Sequence, residues 1–135
     1  MKSIVKRLLP LAVIPFVTGC IYGSTKVIYD KTTSIMASST VNSTKIYLSV
    51  QKCDGEVKYQ ITLNEKTGLT INCNFWCDSG SVEITVSALD DSLFFKQNIT
   101  EDTNFDIDLY QYGEHYITLN HSAFKGKYNL TWSGK

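Results

Sequence analysis

Arginine is nearly absent from this sequence: Arg7 is its one copy, and none follows it. Once residues 1–19 are set aside, ten lysines face thirteen acidic residues, which gives a net charge of −3. A protein that binds nucleic acid needs clustered cations, and arginine above all for bidentate contacts with phosphate. Nucleic acid is therefore not an expected partner.

An apolar run long enough to cross a membrane is also missing. The longest one, Leu8–Val17, has ten residues, about half of the roughly 20 that a spanning helix needs. Three cations precede it and Val-Thr-Gly-Cys ends it at positions 17–20, an order typical of a secretory signal. These four residues resemble the lipobox of bacterial lipoproteins, and the resemblance implies cleavage after Gly19 and a diacylglyceryl thioether on Cys20.

This resemblance predicts a protein of the bacterial cell envelope that is anchored by lipid and faces the periplasm or the exterior. Two alternatives stay open. The signal can be an ordinary secretory one with an incidental cysteine. The protein can also be a glycosylated secreted one, because Asn-x-Ser/Thr sites occur at positions 42, 98, 120 and 129.

The predicted organisation has three segments: a signal peptide over residues 1–19, a Ser/Thr-rich tether over 20–44 and one folded domain over 45–135. Residues 21–44 contain ten Ser or Thr, and Val27–Tyr29 is their single strand-like island. Such a polar tether is expected to stand the domain off a bilayer, and it can also contribute a first strand.

From residue 45 onward apolar and polar residues alternate in short runs that are separated by turn residues, and no stretch of ten residues reads as a helix. Alternation with a period of two indicates half-buried strands. The pattern predicts an all-β, antiparallel sandwich of seven to eight strands. Its runs are Ile46–Val50, Val57–Leu63, Leu69–Phe75, Val82–Ala88, Leu93–Ile99, Phe105–Leu109, Ile117–Leu119 and Tyr128–Trp132.

Five segments after residue 79 resemble the strand series of small immunoglobulin-like lipoprotein domains of gut bacteria. They are Gly80–Val86, Phe94–Thr100, Phe105–Leu109, Gly113–Leu119 and Gly126–Leu130. The resemblance implies the fold, and these families have no agreed activity to transfer. It also makes Tyr116 a candidate tyrosine corner, in which the hydroxyl bonds to upstream backbone.

Three cysteines follow Cys20, and export makes one disulfide with one free thiol the expected state. If the strand at 57–63 forms a hairpin with that at 69–75, Cys53 comes within a residue or two of Cys77. A Cys53–Cys77 disulfide is therefore predicted, with Cys73 facing the core, and a Cys73–Cys77 bridge is the alternative. The cysteine spacing is not that of a zinc site.

Residues for catalysis are scarce. The two histidines, His115 and His121, have no nucleophile motif beside them; a structural role is expected for His115 and a solvated turn for His121. Asp106 and Asp108 share one face of a strand, where a carboxylate pair can serve a glycosidase or a weak calcium site, but a solvated face is favoured. The sequence predicts neither an enzyme nor a metal or cofactor.

Aromatic residues are the remaining candidates for a binding surface. Where two rings adjoin in a strand, one must point outward, which favours exposure of Trp76 and Phe94; Tyr47, Tyr110 and Tyr112 are further candidates. Exposed rings stack on sugars or anchor protein partners. The expected function is a lipid-anchored binding or scaffold module that recognises a protein or glycan through exposed aromatics or edge strands. The alternative is a structural accessory subunit of an envelope or surface assembly.

Overall fold

The computed structural model describes residues 24–63, 69–88, 93–109 and 113–134, and these form an all-β fold of seven strands with no helix in the described ranges. The predicted fold class is confirmed; the eight predicted runs make up five of these strands, and the other two come from the predicted tether. The strands are β1 (Ser24–Ile35), β2 (Ser38–Asn42), β3 (Lys45–Leu63), β4 (Leu69–Ala88), β5 (Leu93–Ile99), β6 (Thr103–Leu109) and β7 (Gly113–Gly134).

The strands form an antiparallel sandwich whose two layers share their three longest strands. In the first layer, sheet A, the order is β1, the second half of β3, the first half of β7, the second half of β4, and β5. In the second layer, sheet B, the order is β2, the first half of β3, the second half of β7, the first half of β4, and β6. In both layers β7 is the central strand.

The three shared strands pass from one layer to the other through bends at one end of the sandwich, here called the bend end. Register shifts mark the bends between Val50 and Gly55 in β3 and between Cys77 and Ser81 in β4. Gly55 has a φ of +104° and Gly80 a φ of +72°, a conformation that glycine adopts without steric cost. These glycines were expected to separate strands, and instead they bend continuous ones.

Side chains that point between the layers form one hydrophobic core. In β4 the odd positions from Leu69 to Phe75 and the even positions from Val82 to Val86 are buried, so the alternation changes phase where the strand bends. Phe75 packs against Phe105 and Tyr128, with ring centroids 5.9 and 5.5 Å apart. The period-two pattern therefore identified the inward faces correctly.

The predicted hairpin between the segments at 57–63 and 69–75 is wrong, because β7 lies between β3 and β4 in both layers. The predicted Cys53–Cys77 disulfide depended on that hairpin, and all three described cysteines are free thiols. Cys73 faces the core as expected. Burial raises the pKa of the Cys53 thiol to about 11 and that of Cys73 to about 12, so both are neutral thiols at ordinary pH.

The segment expected to be mainly a tether supplies both strands of one edge of the sandwich. β1 pairs with the second half of β3, and β2 pairs with its first half. The folded domain thus extends back to Ser24, and positions 20–23 with Cys20 lie outside the described residues. In the part of the chain that the structure describes, no helix is long and apolar enough to cross a membrane.

Candidate functional site

Trp76 lies on the outer face of sheet B, one residue after the buried Phe75, and 39% of its surface is exposed. The predicted exposure is confirmed. Its partner across the ladder is Lys127 of β7, whose Nζ lies 5.0 Å from the centroid of the indole ring. This cation–π contact supports the ring in an outward position.

Three asparagines and one aspartate form a hydrogen-bonded row next to Trp76, here called the amide ladder. Asn104 Nδ2 donates to Asn74 Oδ1 at 3.2 Å, and Asn74 Nδ2 donates to Asn72 Oδ1 at 2.8 Å. Asn72 Nδ2 then donates to Asp106 Oδ1, also at 2.8 Å. These bonds fix the orientation of each amide, and each amide keeps an N–H donor and an oxygen lone pair that the ladder does not use.

Hydrogen bonds to β4 account for both aspartates of β6. Asp106 accepts from Asn72, and Asp108 accepts from the Thr70 hydroxyl at 2.7 Å. They belong to the polar face of sheet B, as the favoured interpretation expected.

A second aromatic ring lies in the register of the amide ladder. Tyr47 of β3 pairs with Asn129, which pairs with Asn74, which pairs with Asn104. Two strand spacings separate Tyr47 from Asn74, about 10 Å. Tyr47 is half-buried, so Trp76 is the more accessible of the two rings.

Trp76 separates two shallow clefts at the bend end, of about 340 and 360 Å³. Asp102 lines both clefts, and its Oδ1 accepts a hydrogen bond from the Cys77 backbone N–H at 2.9 Å. That bond fixes the connection between β5 and β6 against β4. The first cleft is lined by Asn74, Phe75, Trp76, Asp102, Thr103 and Asn104, and the second by Ser49, Val50, Gln51, Trp76, Asp78, Asp102, Lys125, Gly126 and Lys127.

The charges lining these clefts cancel: Asp78 and Asp102 carry two negative charges, and Lys125 and Lys127 carry two positive ones. The remaining polar groups are amides and hydroxyls. An apolar ring beside balanced charges and fixed amides suits a ligand that is uncharged, polar and partly flat.

None of the other predicted binding aromatics, Phe94, Tyr110 and Tyr112, has a described side chain at this site. Phe94 belongs to β5, but its side chain lies outside the described part, as do Tyr110 and Tyr112 altogether. Tyr116 lies on the outer face of sheet A, with Lys58 Nζ 4.5 Å from its ring centroid. The expected tyrosine corner at Tyr116 is wrong, because its side chain points to the solvent face.

Both histidines are buried. This agrees with the structural role expected for His115, but the expected solvation of His121 is wrong. His121 Nδ1 donates to the Gly55 carbonyl at 2.8 Å, and Nε2 accepts from the Tyr128 hydroxyl at 2.9 Å. Burial lowers the pKa of both imidazoles. Within the described ranges no three His, Cys, Asp or Glu side chains form a metal-binding group.

Neither the amide ladder nor the two clefts is predicted from the sequence. Asn72, Asn74 and Asn104 occupy outward positions in strands whose alternate residues are buried, so the pattern could have placed them on the solvent face. It could not show that β4 and β6 are neighbours, and the ladder depends on that pairing.

No protein family and no curated protein matches this chain. Among solved structures, similar ones include the secreted serine protease VesC from Vibrio cholerae, at 13% identity and a TM-score of 0.50, with 81% of this chain and 25% of that chain covered. This chain spans a quarter of that protease. A CBM4 structure is similar at 13% identity and a TM-score of 0.44, covering 86% of this chain and 81% of that one.

A third similar structure is a carbohydrate-binding module from the Cellvibrio mixtus lichenase 5A in complex with cellotriose. It has 12% identity and a TM-score of 0.41, with 76% of this chain and 86% of that chain covered. At these identities the likeness is one of fold: this chain is a β-sandwich.

Proposed function

We propose that this protein is a glycan-binding module of the bacterial cell envelope, anchored by lipid on Cys20. The observation that carries the proposal is the exposed ring of Trp76 beside the amide ladder. A sugar ring has an apolar C–H face that packs on an aromatic ring, and hydroxyls at its edge that pair with amides and carboxylates. The site offers both kinds of contact side by side.

Charge and burial favour binding of a neutral glycan over catalysis. The two lysines and two aspartates beside Trp76 balance, so they give no net attraction for an acidic chain. The imidazoles are buried. Burial also raises the pKa of the Cys53 and Cys73 thiols, and a thiol that stays protonated is a poor nucleophile. The two imidazoles and the Cys53 and Cys73 thiols belong to the buried core and not to the surface around Trp76.

The first prediction concerns Trp76. Trp76→Ala removes the stacking ring from an exposed position, so it is expected to weaken glycan binding by about 1 to 3 kcal/mol, as at other aromatic hot spots, with little change in melting temperature. Affinity electrophoresis in gels containing hydroxyethylcellulose, galactomannan, arabinoxylan or polygalacturonate would measure this, followed by calorimetry with the matching oligosaccharide.

Tyr116→Ala is the matched control, because Tyr116 is also a solvent-face ring beneath a lysine but lies on sheet A. It should bind as the parent protein does. Equal retardation of the parent and Trp76→Ala in every gel would contradict the proposed site, and so would a loss of several kcal/mol in folding free energy in Trp76→Ala.

The second prediction concerns the anchor. Cys20→Ser removes the thiol that receives the lipid, so the variant is expected to remain unprocessed or soluble and to lose labelled fatty acid. Metabolic labelling and membrane fractionation of cells that express the parent and the variant would test this. A Cys20→Ser protein that still incorporates fatty acid and pellets with membranes would refute the anchor without touching the glycan site.

A further inference from the structure

Exposed large hydrophobic side chains of the described residues are concentrated at one edge of the sandwich. Apart from Trp76, all of them lie on β1, on β2 or in the connection between the two strands: Val27, Ile28, Ile35, Met36 and Val41. Met36 is 81% exposed and Ile35 57%. We call this the β1–β2 edge; among the described strands, each of the two has only β3 as a neighbour, and apolar side chains gathered on such an open edge mark a contact surface.

The lipid attachment point is close to this edge. Cys20 precedes Ser24, the first residue of β1, by four residues. Four extended residues span at most about 14 Å. A lipid on Cys20 therefore holds the start of β1 within that distance of the bilayer surface.

Charge distinguishes this edge from the opposite one. Residues 24–42 contain two lysines and one aspartate, a net charge of +1, whereas residues 93–109, which include β5 and β6, contain one lysine and four acids, a net charge of −3. A bilayer with anionic lipids attracts the first edge and repels the second.

We propose that the β1–β2 edge lies against the anionic surface of the membrane that holds the lipid of Cys20; this rests on the lipid anchor of the proposed function. The contact is interfacial, because edge-strand N–H and C=O groups need the hydrated headgroup region and are not tolerated in the hydrocarbon interior. Trp76 is three strands from β2 across sheet B, about 14 Å. The ring of Trp76 is thereby set back from the bilayer, whereas the second cleft extends to Ser49 of β3, the residue that pairs with Ser38 of β2.

Spin labels on the full, lipidated chain test this orientation in vesicles of phosphatidylcholine and phosphatidylglycerol. Labels are placed by Ile35→Cys or Val41→Cys, with Asn98→Cys on β5 as the control. The background carries Cys77→Ser, and the buried Cys53 and Cys73 remain unlabelled. Relative to unlipidated Cys20→Ser protein in solution, accessibility to a water-soluble nickel complex is expected to fall severalfold at 35 and 41 and to stay unchanged at 98.

Flotation of the same samples separates the two proposals. Protein that floats with the vesicles but has labels at 35 and 41 as accessible as that at 98 overturns the orientation and leaves the anchor intact. Protein that fails to float overturns the anchor and the orientation with it. Labels at 35 and 41 that are already shielded in the Cys20→Ser protein without vesicles show that a second copy covers the edge, which also overturns the membrane contact.

Discussion

Gly55→Ala is expected to lower the free energy of unfolding by about 3 to 5 kcal/mol, because a side chain at this position meets backbone that cannot move aside. A Cβ built on Gly55 would lie 2.2 Å from the carbonyl oxygen of Lys31, on the neighbouring β1. The clash would push the edge strand away from β3. It would also disturb the Gly55 carbonyl, which accepts the hydrogen bond from His121.

Gly113→Ala is the matched control, because the two glycines have nearly the same φ, +104° at Gly55 and +106° at Gly113. Among the described residues, no atom outside Gly113 and its chain neighbours lies within 4 Å of a Cβ built on it, so this variant should lose only the stability that a left-handed backbone costs an alanine, about 1 to 2 kcal/mol. Urea denaturation of the parent and both variants measures the difference. Equal losses would show that β1 accommodates the methyl group and that the close approach does not matter.

Stability is expected to fall as the pH drops below about 6.5, because His115 and His121 are buried as neutral imidazoles. Burial is the main cause that lowers the pKa of each below its ordinary value of 6.5, and at His121 the nearby Asp30 and Asp54 oppose it. The unfolded chain therefore binds more protons than the folded one below pH 6.5. Each histidine contributes a slope of at most about 1.4 kcal/mol per pH unit, over the pH range between its folded-state pKa and 6.5.

His121→Gln removes one of these two titrations and should therefore make the slope shallower. The comparison uses the change in unfolding free energy between pH 7.5 and pH 5, measured by urea denaturation, so the variant's lower stability at neutral pH does not enter. The same slope in parent and variant would mean that His121 is not the buried neutral group that its bonds to Gly55 and Tyr128 describe.

The sequence pattern was sufficient for the strands and their inward faces, because burial of alternate residues is a local property. Ile46, Ile84 and Leu130 were all assigned to core-facing positions, and all are buried. Strand pairing is not local. The expected hairpin paired β3 with β4 because these strands are consecutive in the sequence. The alternation of buried and exposed residues in each strand is equally compatible with β7 lying between them.

Two further features lay beyond the sequence for the same reason. The first is the extent of strand in the predicted tether, which was expected to contribute at most a first strand: β1 and β2 are edge strands, exposed along most of their length, so they show little of the alternation that marks a half-buried strand. The second is His121, which follows Asn120 and looks like a turn residue. It is buried because its ring meets the Gly55 carbonyl 66 residues away, a contact that no sequence window contains. At the candidate site, the exposure of Trp76 could be predicted from the sequence. The amide ladder could not, because it depends on the pairing of β4 with β6.

The central place of β7 also determines when this chain can fold. A ribosome makes the protein from its N-terminus, so Gly113–Gly134 emerges after every other strand of the sandwich. Until then β3 and β4 have no shared neighbour in either layer, and pairs such as Ile46 with Leu130 await a partner 84 residues away. Pairing over such separations is slow. The chain therefore cannot complete either layer of the sandwich until β7 has been made.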